Sequence, residues 1–178
     1  MRFVLVHHGE EQDPNATRQE RARAVAEELR ALGARGERFD AVLAGPTAAS
    51  MAAAQTIAAA LHLEVEARDE LAPLTDADLP IEGGLDAGTA TQERAWSLVE
   101  ELKRTQAADA GIVLVTHELS IRALVCRALD MPLNETYRFA LEPGSLSVIE
   151  YRTLPRERTL LAALNETCHL EGMSANGP

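Results

Sequence analysis

The chain has 178 residues, of which 46% are hydrophobic and 25% are charged, and its formal net charge at pH 7 is −11. This length fits one domain, or at most two small ones, with a hydrophobic core. The acidic balance argues against wide contact with nucleic acid or anionic lipid, because both require a basic surface. Cys126 and Cys168 have neither CxxC nor metal-binding spacing, and no apolar run is long enough to span a membrane. With no signal-peptide pattern either, we expect a cytoplasmic protein without a cofactor.

The predicted elements alternate between strands and helices. The capping-box spacing of Thr17 and Glu20 predicts that the first helix begins at Thr17, and Gly33 ends it. Strands are predicted at residues 3–6, 41–44, 63–67, 111–116, 145–151 and 158–164, and helices at 17–33, 47–61, 91–105 and 119–129. This order predicts a three-layer α/β/α fold with a mainly parallel sheet, in a single domain over residues 1–172. Residues 173–178 are expected to form a flexible tail.

Two of the predicted buried strands end in histidine. The first strand leads to His7 and His8, and the strand at 111–116 leads to His117. Ligands of open α/β sheets bind beyond the carboxyl ends of the strands, so neighbouring strands would bring these side chains into one pocket. Histidine can act as a nucleophile and as a proton carrier near neutral pH. A single histidine at a strand end is more often structural than catalytic, whereas two at equivalent strand ends fit either a catalytic pocket or a structural role.

Five segments, in order, resemble the histidine phosphatase superfamily, which includes the cofactor-dependent phosphoglycerate mutases. They are LVHHGE (5–10), FDAVLAGP (39–46), VLVTH with IRAL (113–124), PGSLSV (143–148) and LNETCHL (164–170). The resemblance implies a phosphoglycerate mutase-like fold and a phosphatase that acts on phosphohistidine or a small phosphomonoester. It assigns His8 as the nucleophile that forms a phosphohistidine intermediate, and His117 as the second catalytic histidine, which donates to the phosphoryl oxygens.

The chain departs from the family where the resemblance implies that phosphate is bound. His7 replaces the first arginine of the family motif, and Ala49 stands at the position of the second. Together with Gly9, these residues are expected in the phosphate pocket. Glu11 replaces a common threonine and would repel phosphate, while Asn15 lies one place after the family's pocket asparagine. Another arginine would have to replace the lost charge, and the candidates in the chain are Arg18, Arg68 and Arg138.

The general acid of many family members is also missing. The segment at residues 70–73 instead resembles the small bacterial phosphohistidine phosphatases, which lack this acid. A phosphoramidate leaving group needs less proton assistance than an alkoxide does. Asp76 and Asp78, in the long acidic loop, are the candidate substitutes for the acid.

Three interpretations of the site are open at the level of sequence. The first is a phosphatase, weak or specialised, whose partner is a phosphorylated small molecule or a phosphohistidine protein. The second is a catalytically impaired family member that binds a phosphorylated ligand or a protein. The third is a metal site, against which stands the rule that adjacent strand side chains point to opposite faces. Its candidate ligands are His7, His8, His117, Glu10, Glu11 and Glu118.

Overall fold

The computed structural model of the protein describes residues 1–10, 12–74, 86–153 and 156–171. In these residues the strands are β1 (Arg2–His7), β2 (Ala41–Ala44), β3 (Val65–Ala67), β4 (Gly111–Thr116), β5 (Leu146–Arg152) and β6 (Arg158–Glu166). The α-helices are α1 (Asn15–Ala34), α2 (Ala48–Leu61), α3 (Asp86–Thr105) and α4 (Glu118–Ala128). Short 3-10 helices at Asp69–Leu71, Leu133–Arg138 and Cys168–Leu170 were not expected from the sequence.

The strands form one sheet in the order β3-β2-β4-β1-β5-β6. Strands β1 and β4, β2 and β4, and β2 and β3 pair in parallel, whereas β5 runs antiparallel to β1 and β6 antiparallel to β5. The mainly parallel sheet predicted from the sequence is therefore confirmed. The two strands that end in histidine, β1 and β4, are direct neighbours at the centre of this sheet.

Helices cover both faces of the sheet. Phe3 and Leu5 of β1 pack in a cluster with residues of α3 and α4, whereas Val4 and Val6 pack in a second cluster with α1 and α2. Successive strand residues point to opposite faces, so a strand covered on both sides is a continuous apolar run. This arrangement confirms the three-layer fold and explains why β1 and β4 show no polar alternation.

Helix α1 begins two residues earlier than the capping-box pattern predicted. Its N-cap residue is Pro14, no side chain caps the helix, and the Arg18 amide donates to the Pro14 carbonyl at 3.1 Å. Proline fixes its own φ angle near the helical value and can lead directly into a first turn. Thr17 is thus inside the helix rather than at its cap, so that prediction was wrong. The shift puts Asn15 and Arg18 on the opening turn of α1.

Several of the predictions fall outside the described residues. Glu11, Asp76, Asp78 and the expected tail at 173–178 are in this group. In the described part of the chain, no helix is both long and apolar enough to cross a membrane. Cys126 is buried and Cys168 exposed, and both are free thiols.

Candidate active site

The register of the central strands brings two histidines together. His7 of β1 lies opposite Thr116 of β4 in the parallel ladder, so the residues that follow them, His8 and His117, leave the sheet side by side. Their ring centroids are 4.4 Å apart and the rings are nearly perpendicular, at 89°. His117 is also the N-cap residue of α4, which fixes where its backbone turns. The strand register thus brings these two side chains into contact, as expected from the sequence.

His8 faces a cavity of about 500 Å³ between the first turns of α1 and the first half of α2. The His8 side chain is buried, with the residue 3% exposed, and neither ring nitrogen has a hydrogen-bond partner within the described residues. The wall combines amides, one arginine and many alanines. The lining residues are His8, Asn15, Arg18, Gln19, Ala22, Ala48, Ala49, Ala52, Ala53 and Thr56.

The surroundings of His8 keep its imidazole neutral. Burial, the neighbouring His117 and His7, and the positive charge of Arg18 lower the pKa of His8 from 6.5 to about 3. Each of these influences disfavours a second proton on the ring, burial most strongly. At neutral pH the ring therefore carries a lone pair on one nitrogen, which is the form that a nucleophile requires.

His7 is turned away from this cavity and is not among the described residues that line it. Its Nδ1 lies 3.1 Å from the carbonyl oxygen of Glu142, and its Nε2 lies 3.6 Å from a carboxylate oxygen of Glu10. Because a carbonyl oxygen only accepts, Nδ1 carries the proton and donates it. Burial lowers the pKa of His7, opposed by the carboxylate of Glu118 and the bond to Glu142. His7 thus fastens the loop before β5 instead of lining the pocket predicted for it.

Gly9 allows the chain to turn from β1 towards α1 directly after His8, although Gly9 is not among the described residues that line the cavity. Its φ is +105°, and a side chain there would begin 3.3 Å from an Asp13 carboxylate oxygen and 3.7 Å from Cγ of Arg18. The same Asp13 oxygen accepts from the Glu10 amide and from Arg21. Few residues other than glycine adopt such a φ without strain. The tight turn brings the stem of Arg18 against Gly9, the residue that follows His8.

The candidate replacements for the missing arginines lie in very different places. Arg68 bonds the carboxylates of Glu66, Glu70 and Glu101, and Arg138 pairs with Glu135 at the surface. Neither lines the cavity, whereas Arg18 does, together with Ala49. Sequence reasoning named Arg18 without being able to place it. Its place on the cavity wall follows from the packing of α1 against α2, for which the sequence carries no local signal.

The described residues do not support the metal interpretation. No group of three or more histidine, cysteine, aspartate or glutamate side chains in this part of the chain is arranged to hold a metal ion. His7 and His8 contact different partners, as expected for adjacent residues at the end of a strand.

A sequence model of the histidine phosphatase superfamily (branch 1) matches residues 75–166, which is more than half of the chain. The chain belongs to this superfamily. The matched range of the histidine phosphatase domain includes His117 but begins after His8 and Ala49. The departures at positions 7, 11, 15 and 49 all precede the matched range.

Individual relatives agree with this assignment. A 2-carboxy-D-arabinitol-1-phosphatase of Triticum aestivum is 32% identical over 84 residues, which are 46% of this chain and 17% of the wheat protein. Phosphoserine phosphatase 1 of Hydrogenobacter thermophilus is 23% identical over 215 aligned residues, covering 96% of this chain and 94% of the relative. A phosphoserine phosphatase mutant of Entamoeba histolytica in complex with phosphoserine has the same fold, with a TM-score of 0.72, 19% identity and coverage of 95% and 98%.

Proposed function

We propose that this histidine phosphatase domain hydrolyses phosphohistidine or a small phosphomonoester, with His8 as the nucleophile. The supporting observation is the buried, neutral ring of His8, which lies on the wall of a cavity and contacts the ring of His117. The cavity lies beyond the carboxyl ends of the central strands, where α/β folds bind ligands. The activities of the relatives named above are consistent with this reaction class.

The proposed reaction has two displacement steps at phosphorus. In the first, the lone pair of His8 forms an N–P bond while the bond to the leaving group breaks, and the leaving group keeps the electron pair. In the second, water attacks phosphorus and releases a proton to solvent, the N–P bond breaks, and its electrons return to the imidazole as inorganic phosphate forms. His117 donates a hydrogen bond to the phosphoryl oxygens in both steps, the role that the family resemblance assigns to it.

The start of α2 supplies further donors for an anion. The first turn of a helix leaves backbone N–H groups without intrahelical acceptors, and these groups attract phosphate. Thr47 accepts a hydrogen bond from the Ser50 amide, while Ala48 and Ala49 of the same turn lie on the cavity wall. This helix end offsets part of the charge lost at position 49.

The substrate preference follows from the leaving group. No carboxylic acid is among the described residues that line the cavity, and Glu70 is bonded to Arg68, which lowers the pKa of Glu70. A reaction without a strong proton donor favours leaving groups that depart readily, such as an imidazole or a phenolate. We therefore expect phosphohistidine and aryl phosphates to be better substrates than alkyl phosphates, unless Asp76 or Asp78 donates the proton.

The test compares wild type with His8→Asn on a phosphohistidine peptide, 4-nitrophenyl phosphate and an alkyl phosphate. We expect wild-type turnover to fall in that order, and His8→Asn to abolish it on all three. Asp76→Asn and Asp78→Asn should affect only the alkyl ester, if it is turned over at all. Turnover that persists in His8→Asn would exclude the proposed mechanism.

A phospho-ligand binding protein without catalysis is the second candidate function. The observation that favours it is the lack of an arginine at both expected positions, with His7 turned to Glu142 and Ala49 uncharged on the cavity wall. Wild-type protein that binds phosphate in calorimetry but shows no turnover on any of the three substrates would select this function instead.

A further inference from the structure

Arg18 is the only arginine or lysine among the described residues that line the cavity. We propose that Arg18 binds the phosphate group of the substrate, and that the alanine wall of α2 receives an uncharged, apolar organic part. This inference rests on the proposed function, because it concerns the ligand of the same cavity. It places the positive charge that binds phosphate on α1, whereas the family resemblance led us to expect that charge at positions 7 and 49.

The first support is the position of Arg18. It is half-buried on the opening turn of α1, and its Cγ lies 3.7 Å from the point where a Gly9 side chain would begin. Gly9 directly follows the nucleophile, so the Arg18 stem passes close to His8. The positive charge of Arg18 also contributes to the lowered pKa of His8. A group that acts on the empty imidazole in this way would act more strongly on a phosphoryl group attached to it.

The chemistry of the neighbouring residues supports the same role. A guanidinium stays charged at all working pH values and offers a planar set of donors that suits phosphate oxygens. Asn15 and Gln19 place amide side chains on the same wall, and the first turn of α2 faces them across the cavity. Arg21 and Arg122, whose charges also act on His7, bond to Asp13 and Glu118 and do not line the cavity.

The remaining wall points to the organic part of the substrate. Four alanines of α2, together with Ala22 of α1, give a surface without charge: Ala48, Ala49, Ala52 and Ala53. No carboxylate is among the described residues that line the cavity. The cavity volume of about 500 Å³ lies in the usual range for small-molecule sites. With Arg18 occupied by phosphate, a second anionic group on the ligand would find no other arginine or lysine on the described wall. A phenyl phosphate should therefore bind more tightly than phosphoserine.

Calorimetric titration with inorganic phosphate tests the role of Arg18 without requiring turnover. Loss of a charged hydrogen bond in Arg18→Ala should weaken phosphate binding about ten- to a hundredfold. Arg18→Lys should retain part of the affinity. Arg23→Ala is the matched control, because Arg23 is exposed on the same helix and does not line the cavity. It should bind phosphate as wild type does.

A compensating variant distinguishes the loss of the Arg18 charge from structural damage caused by its substitution. In Arg18→Ala/Ala49→Arg, the new arginine projects from the facing wall of the same cavity, so it should restore most of the lost phosphate affinity. A variant damaged only in its structure would not be rescued by a second substitution. Circular dichroism of each protein verifies that the fold is intact.

Equal phosphate affinity in wild type and Arg18→Ala would overturn the inference, as would wild-type protein that does not bind phosphate at all. Tighter binding of phosphoserine than of phenyl phosphate, measured on His8→Asn protein to prevent turnover, would overturn the part that concerns the alanine wall. These outcomes are distinct from failure of the proposed function, which is diagnosed by turnover that persists in His8→Asn.

Discussion

The sheet side and the helix side of the cavity differ in how tightly the fold fixes their residues. On the sheet side, β1 and β4 are buried along their length, and their parallel register fixes the positions of His8 and His117. On the helix side, α1 and α2 meet the cavity with residues that are partly exposed and mostly small. The two histidines to which the family resemblance assigns catalysis lie on the first side. On the other side, Ala49 stands at the position of the family's second arginine. A nucleophile needs one backbone geometry, whereas a positive side chain that binds phosphate can reach the site from any wall that faces it.

His117→Ala should affect turnover most among the changes that separate these two sides. Its ring lies next to that of His8, and loss of a donor to the transferring oxygens costs about 10²–10³ in kcat by analogy with oxyanion holes. Steady-state kinetics on 4-nitrophenyl phosphate measure the effect. His169→Ala is the control, because His169 bonds to the Gly144 carbonyl outside the cavity. A loss of equal size in both variants would remove the special role of His117.

Ala49→Arg adds charge to the helix side and should raise kcat/KM. The position lies on the cavity wall, and one charged hydrogen bond to phosphate corresponds to about a ten- to hundredfold gain. Ala59→Arg provides a control on an exposed position of the same helix that does not line the cavity. If kcat/KM is unchanged in Ala49→Arg, a lack of positive charge on the helix side does not limit the reaction.

The burial of His8 should appear in the pH dependence of stability. Its pKa is about 3 in the folded protein and near 6.5 when unfolded, so the unfolded chain binds one proton more between these values. Stability therefore falls on acidification below about pH 6.5, by up to about 1.4 kcal/mol per pH unit for one proton. His8→Asn should flatten this dependence by that slope, as measured by urea unfolding at pH 4 to 7. Parallel curves for the two proteins would show that His8 is not buried as a neutral group.

Gly9→Ala tests the turn that joins the two sides. Positive φ costs an alanine about 1–2 kcal/mol, and the new methyl group would also crowd Asp13 at 3.3 Å. Gly36→Ala is matched in φ, at +100°, but its side chain would meet nothing within 4 Å. Urea unfolding should show the larger loss for Gly9→Ala. Equal losses would mean that crowding of Asp13 by the new methyl group carries no cost.

The fold class could be predicted because each strand and helix carries its own apolar pattern, and their alternation indicated a mainly parallel sheet. The order of the strands in the sheet was not predicted, because it depends on pairings between distant segments. The histidine pair could be predicted from the same apolar patterns, since both residues stand at strand ends. The contacts of His7 could not, because its partner Glu142 is 135 residues away and sequence gives no sign of that pairing. Arg18 was named as a candidate but could not be placed, because its position on the cavity wall depends on how α1 packs against α2, which no local sequence signal reports.

Trapping the phosphorylated protein tests the central claim most directly. Wild type and His8→Asn are incubated with a small phosphoramidate, quenched in base to preserve phosphohistidine, and analysed by intact mass and peptide sequencing. We predict that wild type gains one phosphoryl group, located on His8, and that His8→Asn gains none. A phosphoryl group on another residue, or one that forms equally in His8→Asn, would contradict the account.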